Sequence, residues 1–279
     1  MTETPPSPRP ELTLEQAIAA LRWWAEAGVD LALDEAPHDR FAESAAPPPR
    51  RVAPEPVRAP ASVRAPAAAP APAVPEEAVR SAWEAAAAAR TLEDLRAALE
   101  SFEGCGLKKT ATQLVFADGA PGASIMIVGE APGAEEDRVG RPLVGKGGQL
   151  FDRMLGAIGL DRTSVYIVNV VPWRPPGNRT PTPQEMAACL PFVLRQIELA
   201  GPSWIVCLGA AATSALTGGR ESLSRARGQW REYRLPSGRV LPILPMFHPD
   251  YLLRQPAQKR LAWADLRKLR ASVASGAPV

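Results

Sequence analysis

Between residues 125 and 247 the chain alternates short, continuously apolar segments with stretches of helical periodicity, and this alternation most constrains its fold. Ile125-Met126-Ile127-Val128, residues 165–171, Trp204–Leu208 and residues 239–247 are too short for helices and lack a polar face, so they read as strands buried on both sides. Residues 149–158, 183–199, 210–217 and 257–273 read as helices. Thr182 caps the second of these, Pro183 occupies its first position and Glu185 closes a capping box. Residues 229–234 add a further strand. Doubly covered strands joined by helices predict an α/β fold with a parallel sheet between two helical layers.

The front of the chain is different. Residues 46–75 contain 10 Pro and 10 Ala in 30 positions. Such a stretch buries too little apolar surface to offset its ordering entropy, and proline biases it toward extended polyproline II, so a disordered linker is expected. Ahead of it, residues 1–45 hold a predicted amphipathic helix over 13–27, with Thr13 and Gln16 at capping-box spacing and Leu14, Ile18, Leu21 and Trp24 on one face. Residues 76–101 read as lead-in helices with Thr91 as an internal N-cap, so 76–279 forms the main domain.

The 32 basic and 30 acidic side chains nearly cancel, but unevenly. Residues 1–100 carry a net −6 and the remainder a net +8. That asymmetry fits either a polyanion partner for the back part or arginines spread over solvated faces. Three cysteines, an odd number at irregular spacing, exclude a disulfide framework and point to a reducing compartment. No apolar run reaches the roughly 20 residues of a membrane helix, and the first residues do not resemble a signal peptide. A cytoplasmic, monomeric protein is expected, with residues 1–45 available to a protein partner.

Parallel sheets bind ligands outside the carboxyl ends of their strands. Here those ends carry Gly129-Glu130-Ala131-Pro132-Gly133, Asn169, Gly209 and His248, so a carboxylate, an amide and an imidazole converge on one edge. Singly, each has a plainer explanation: a solvated Glu in a tight turn, a turn-forming Asn, a structural His. The segment 140–147, GRPLVGKG, nearly matches a phosphate-binding P-loop, but Gly147 replaces the Ser/Thr that would hold Mg²⁺ and no strand precedes it. NTP hydrolysis is therefore not expected, although a glycine-rich helix start can still receive a phosphate. Arg174-Pro175-Pro176-Gly177-Asn178-Arg179 is a basic, stiff loop. Tyr251-Leu252-Leu253-Arg254 reads either as a wedge for a base stack or as the start of the closing helix.

Three ordered motifs within residues 114–273, VFADGAPGASIMIVGEAPGAEEDRVGRPLVGKGGQLFDRML, VYIVNVVPWRPPGNRTPTPQE and MFHPDYLLR, closely resemble family 4 uracil-DNA glycosylases. The resemblance implies a three-layer α/β/α sandwich around a four-stranded parallel sheet, behind a helical N-terminal extension. It also implies hydrolysis of the bond between uracil and deoxyribose, with the base flipped out and the strand left uncut. By position, Glu130 matches the carboxylate that handles the attacking water, with Glu136 as second candidate, and His248 the imidazole that meets the departing uracil anion. Asn169 matches the amide that reads the base, with Gly129, Ala131 and Leu143 beside it. Lys146, Arg174, Arg179, Leu252, Leu253 and Arg254, from the glycine-rich helix start and the two basic loops, are the candidate DNA contacts, and uracil-containing DNA is the implied partner.

Two departures from the family pattern matter. Its [4Fe–4S] cluster needs four cysteines; Cys105 and Cys189 occupy two of those places, but Phe102 and Trp173 occupy the others. No cluster, and no other metal or cofactor, is therefore expected. Leu143 stands where a stacking Phe is common. These losses leave a non-catalytic DNA-binding module of the same fold as the alternative.

Overall fold

The structure, a computed structural model, describes residues 76–278 except Arg220, together with Thr13 and Ile18. Apart from those two residues, the helix expected over 13–27 and the linker expected over 46–75 lie outside the described residues.

Two helices lead in, α1 (Glu76–Ala88) and α2 (Leu92–Ser101), separated by a capping box in which Thr91 and Asp94 exchange hydrogen bonds. The sheet then assembles from β1 (Asp118–Gly119), β2 (Ile125–Gly129), β3 (Val165–Asn169), β4 (Trp204–Leu208), β5 (Arg231–Arg234) and β6 (Val240–Met246). Its order is β1-β3-β2-β4-β6-β5. The central four strands are parallel, as expected, and the two short edge strands are antiparallel. Sequence reading misses β1 because two residues carry no alternation to detect.

Between and after the strands lie α3 (Ala134–Val139), α4 (Lys146–Gly156), α5 (Pro183–Ala200), α6 (Ala210–Thr217), α7 (Leu223–Ala226), α8 (Pro249–Arg254) and α9 (Lys259–Ser275). Strand alternation sends Met126, Val128, Tyr166, Val168, Ile205, Cys207 and Ile243 into one core with α1, α2, α5 and α6. Ile125, Ile127, Val165, Ile167, Val206 and Leu244 pack on the other face against α4, α8 and α9. The result is three layers. The GAEED segment becomes α3, and Tyr251–Arg254 belongs to a separate short helix ahead of the closing one. No helix among the described residues is long and apolar enough to cross a membrane.

The four positions of the cluster pattern lie within the first core. Phe102, Cys105, Trp173 and Cys189 are all buried there, and Phe102 meets Phe192 edge-on at 5.0 Å between ring centroids. The Cys105 and Cys189 thiols contact each other; the contact lowers the Cys105 pKa, while that contact and burial raise Cys189 well above its usual value. Two thiols walled by apolar rings do not fit a [4Fe–4S] cluster, which takes four sulfur ligands. What fixes this arm instead is aromatic packing and Asp137 of α3. The buried Asp137 carboxylate accepts from the Thr112 backbone N–H at 2.8 Å, the Thr112 hydroxyl at 2.8 Å and the Gln113 N–H at 3.3 Å.

The second core closes on a buried ion pair. Asp265 of α9, 2% exposed, accepts from Arg227 Nε at 2.9 Å and again from Nη2, while Nη2 also reaches the Leu261 carbonyl at 2.8 Å. Losing one partner leaves a buried unpaired charge. Arg227→Ala should cost about 3–5 kcal/mol in urea unfolding, whereas Arg227→Met with Asp265→Leu should recover most of it. A chelator should leave the melting temperature unchanged and the protein should carry no iron; brown protein that unfolds on iron removal would refute the packing account of residues 102–115.

Candidate active site

β2, β3, β4 and β6 all point their carboxyl ends to one edge, and the expected residues meet there. Gly129 and Asn169 end paired strands and face each other in register. A Cβ on Gly129 would lie 2.3 Å from Asn169 Oδ1, so only glycine leaves the amide its place. Beyond β3 the chain keeps bonding to the loop after β2: Val170 N–H donates to the Gly129 carbonyl at 2.9 Å and Val171 N–H to the Glu130 carbonyl at 3.0 Å. These bonds, to groups on either side of the Glu130 Cα, hold it against the sheet end.

His248 follows β6 and caps α8. Its Nδ1 accepts the Asp250 backbone N–H at 3.2 Å, so in the neutral ring the proton sits on Nε2. Burial holds its pKa below the usual imidazole value, against the opposing pull of the Asp250 and Glu136 carboxylates. A neutral imidazole presenting Nε2–H is a hydrogen-bond donor ready for a developing oxyanion.

Two connected clefts surround His248. One, about 260 Å³, is lined by Leu143, Asn169, Ala131, Glu136, Lys146 and Gly147. The other, about 360 Å³, is lined by Glu130, Pro175, Arg179, Thr180 and Arg254. His248, Ala131, Gly133, Asn178 and Asp250 border both. Burial raises the pKa of Glu130, partly offset by a hydrogen bond from Thr180. The amide and the apolar wall thus lie on one side of the imidazole, the carboxylate and two guanidinium groups on the other.

Glu136 has a different place from the one expected of a water-handling carboxylate. Its Oε2 accepts Gly133 N–H at 3.0 Å, and its Oε1 accepts Val144 N–H and Gly145 N–H, each at 3.0 Å. Three backbone donors commit it to tying the loop after β2 to the loop before α4. The resemblance to a P-loop ends here too. The glycine-rich turn follows helix α3, and a Cβ on Gly147 would lie 2.0 Å from Asp250 Oδ1, so any side chain there would have to displace that carboxylate.

The expected DNA contacts separate. Lys146 opens α4 at the first cleft, and Arg254 borders the second. Arg174 donates from Nε to Asn178 Oδ1 at 2.6 Å, and Arg179 forms a two-pronged pair with Glu185 at 2.7 and 2.8 Å. Leu252 is a correction. At 1% exposed it is a core residue of the α4–α9 layer and cannot enter a base stack, whereas Leu253 is 40% exposed. In α8 adjacent residues point about 100° apart, so one leucine is buried while its neighbour faces out. That phase was invisible while the segment could be read as a loop. Sequence reading also passed over three residues. Arg162 and Asp118 support the cleft from outside and Gly148 lies on its lining; no local pattern in the sequence signals that role for any of them.

Comparison with known proteins agrees with this geometry. The family model of the uracil DNA glycosylase superfamily matches residues 116–267. A type-4 uracil-DNA glycosylase of Thermotoga maritima is 42% identical over 172 residues, covering 61% of this chain and 88% of that protein. One from Pyrobaculum aerophilum is 40% identical over 179 residues, 63% of this chain and 91% of the relative. One from Archaeoglobus fulgidus is 37% identical over 183 residues, 64% and 92% respectively. With its central parallel strands, its three-motif edge and relatives matched over most of their length, the chain belongs to the uracil DNA glycosylase superfamily and is similar to its type-4 members.

Proposed function

We propose that this protein excises uracil from DNA by hydrolysing the N-glycosidic bond, leaving an abasic site in an uncut strand. The observation that carries the proposal is the meeting of Asn169, His248 and Glu130 around two joined clefts, in a chain similar to type-4 uracil-DNA glycosylases.

A base in a duplex is out of reach, so the nucleotide must leave the stack at a cost of a few kcal/mol, least where the strand is already single. Lys146, Arg174, Arg179 and Arg254 repay that cost through phosphates, and the exposed Leu253 takes the vacated place in the stack. The flipped uracil lies against Leu143, and Asn169 reads its edge. Bond cleavage puts negative charge on the base and positive charge on the sugar. Nε2–H of His248 meets the uracil oxygen, and one such donor is worth about 3 kcal/mol. Glu130, on the other side, stabilises the sugar cation and orients the water. Glu136 holds the two loops in place and leaves the water to Glu130. No step needs a metal or redox group. Lys146 serves as a phosphate contact, and hydrolysis therefore leaves the strand uncut. The catalytic domain comprises residues 76–279, works as a cytoplasmic monomer and carries residues 1–45 as a separate partner-binding element.

Incubation with a uracil-containing oligonucleotide followed by alkali should give cleavage at the uracil position. No product at stoichiometric protein would overturn the proposal, and binding without product would leave a DNA-binding module. His248→Ala should lower the single-turnover rate by about 10²–10³-fold. Glu130→Gln should lower it by about 10²-fold or more. Because burial raises the Glu130 pKa, the folded state binds its proton more tightly than the unfolded chain. Stability therefore falls as pH rises from the unfolded value through the folded one, and above that window the fold bears the cost of a buried carboxylate. Glu130→Gln should thus melt higher than wild type at neutral pH and equally at pH ~4, despite its lower rate. A lower melting temperature at neutral pH would contradict the burial argument.

A further inference from the structure

We propose that Arg162 is a positioning residue: from outside the cleft it holds Leu143 in a left-handed turn and so sets the wall against which the base lies. Leu143 is 6% exposed, borders the cleft with Asn169 and His248, and has φ +53°. A branched, non-glycine residue in that region is unfavourable and persists only where its surroundings impose it.

Two side chains impose it. Arg162 lies in the short turn Arg162–Ser164 before β3 and is not among the residues lining the cleft. Its Nη1 donates to the Pro142 carbonyl at 3.2 Å, and its Nη2 donates to the Leu143 carbonyl. On the other flank, Val144 and Gly145 N–H donate to Glu136. Two consecutive carbonyls and the next two N–H groups are therefore gripped, which fixes both peptide planes around Leu143. The helix behind leaves the carbonyl no second position. A Cβ on Gly148 would lie 1.8 Å from Leu143 O and 3.3 Å from Arg162 Nη2, so the carbonyl rests directly on the α4 backbone.

The guanidinium is itself held. Its Nη1 pairs with Asp118 at 2.5 Å and its Nε with Asp152 at 2.7 Å. Asp118 is fixed by the antiparallel pairing of β1 with β3, opposite Ile167. This gives the two-residue edge strand a purpose: it aims a carboxylate at the group that shapes the base pocket. A planar fork that serves two carboxylates and two carbonyls at once has no lysine equivalent, because an ammonium offers three donors from one point.

The inference rests on the uracil-excision reading, and the test separates the two. Single-turnover excision is measured at saturating protein for wild type, Arg162→Gln, Arg162→Lys, Leu143→Gly and the double variant Arg162→Gln/Leu143→Gly, alongside binding to the same oligonucleotide without uracil. Arg162→Gln should lose roughly 10–100-fold in rate, the scale of a misplacement of about 1 Å, with binding changed less than about 2-fold. Arg162→Lys should recover only part of the rate. Glycine adopts positive φ freely, so Arg162→Gln on the Leu143→Gly background should cost less than about 3-fold more. A purely structural arginine would lower the melting temperature but leave the rate of the folded fraction unchanged, which would overturn the inference. Full multiplication of the two losses in the double variant would overturn it as well; should Arg162→Gln fail to fold, Arg162→Lys carries the test, and a full wild-type rate in that variant would overturn the inference. Inactive wild type would instead remove the uracil reading itself.

Discussion

Four strands running in one direction leave all their carboxyl ends on one edge, and the rest of this molecule depends on that constraint. Helices must cover both faces of such a sheet, so the strands can be uniformly apolar and the polar chemistry is expelled to the strand ends. Gly129 and Asn169 are neighbours because their strands are, and His248, just after β6 beyond β4, stands on the same edge, although up to 119 positions separate them in sequence. The sheet thus sets the distances between functional groups before any of them interacts with another.

The loops at that edge are then fixed by polar groups that do no chemistry. Val170 and Val171 hold the backbone of the Glu130 loop, Glu136 ties that loop to the next, and Asp250 N–H orients the His248 ring. The site is therefore built in advance, and the two groups with strained protonation are the ones given chemical roles. Burial favours the neutral form of both Glu130 and His248. For the imidazole that suits a donor. For the carboxylate it is a cost carried by the fold, which the backbone bonds around Glu130 sustain.

Much of this was legible in the sequence, for identifiable reasons. The strands and the α5 cap were readable because apolar runs and capping boxes are local signals. Convergence of Glu130, Asn169 and His248 followed from strand direction alone. Of the edge strands, β5 was legible within 229–234, whereas β1, with two residues, has no alternation to detect. Leu252 was misplaced because a segment that could be loop or helix has no defined phase. Glu136 could be recognised as a motif carboxylate, but its three backbone partners come from two loops whose approach no sequence pattern encodes. Arg162 left no trace at all, since the groups it positions are main-chain carbonyls of Pro142 and Leu143 and its carboxylate partners, Asp118 and Asp152, come from separate elements. Conversely, the aromatic residues at the two cysteine positions, Phe102 and Trp173, were plain in the sequence and became intelligible as packing once both rings lay in the core, Phe102 against Phe192.

The central claim is that the bond between uracil and sugar is hydrolysed while the strand stays whole. Mass spectrometry of a uracil-containing oligonucleotide after incubation with the protein, with no alkali added, tests it most directly. The account predicts release of free uracil and one strand of full length, lighter by uracil and heavier by one water. An unchanged strand, or two fragments in place of one, would contradict it.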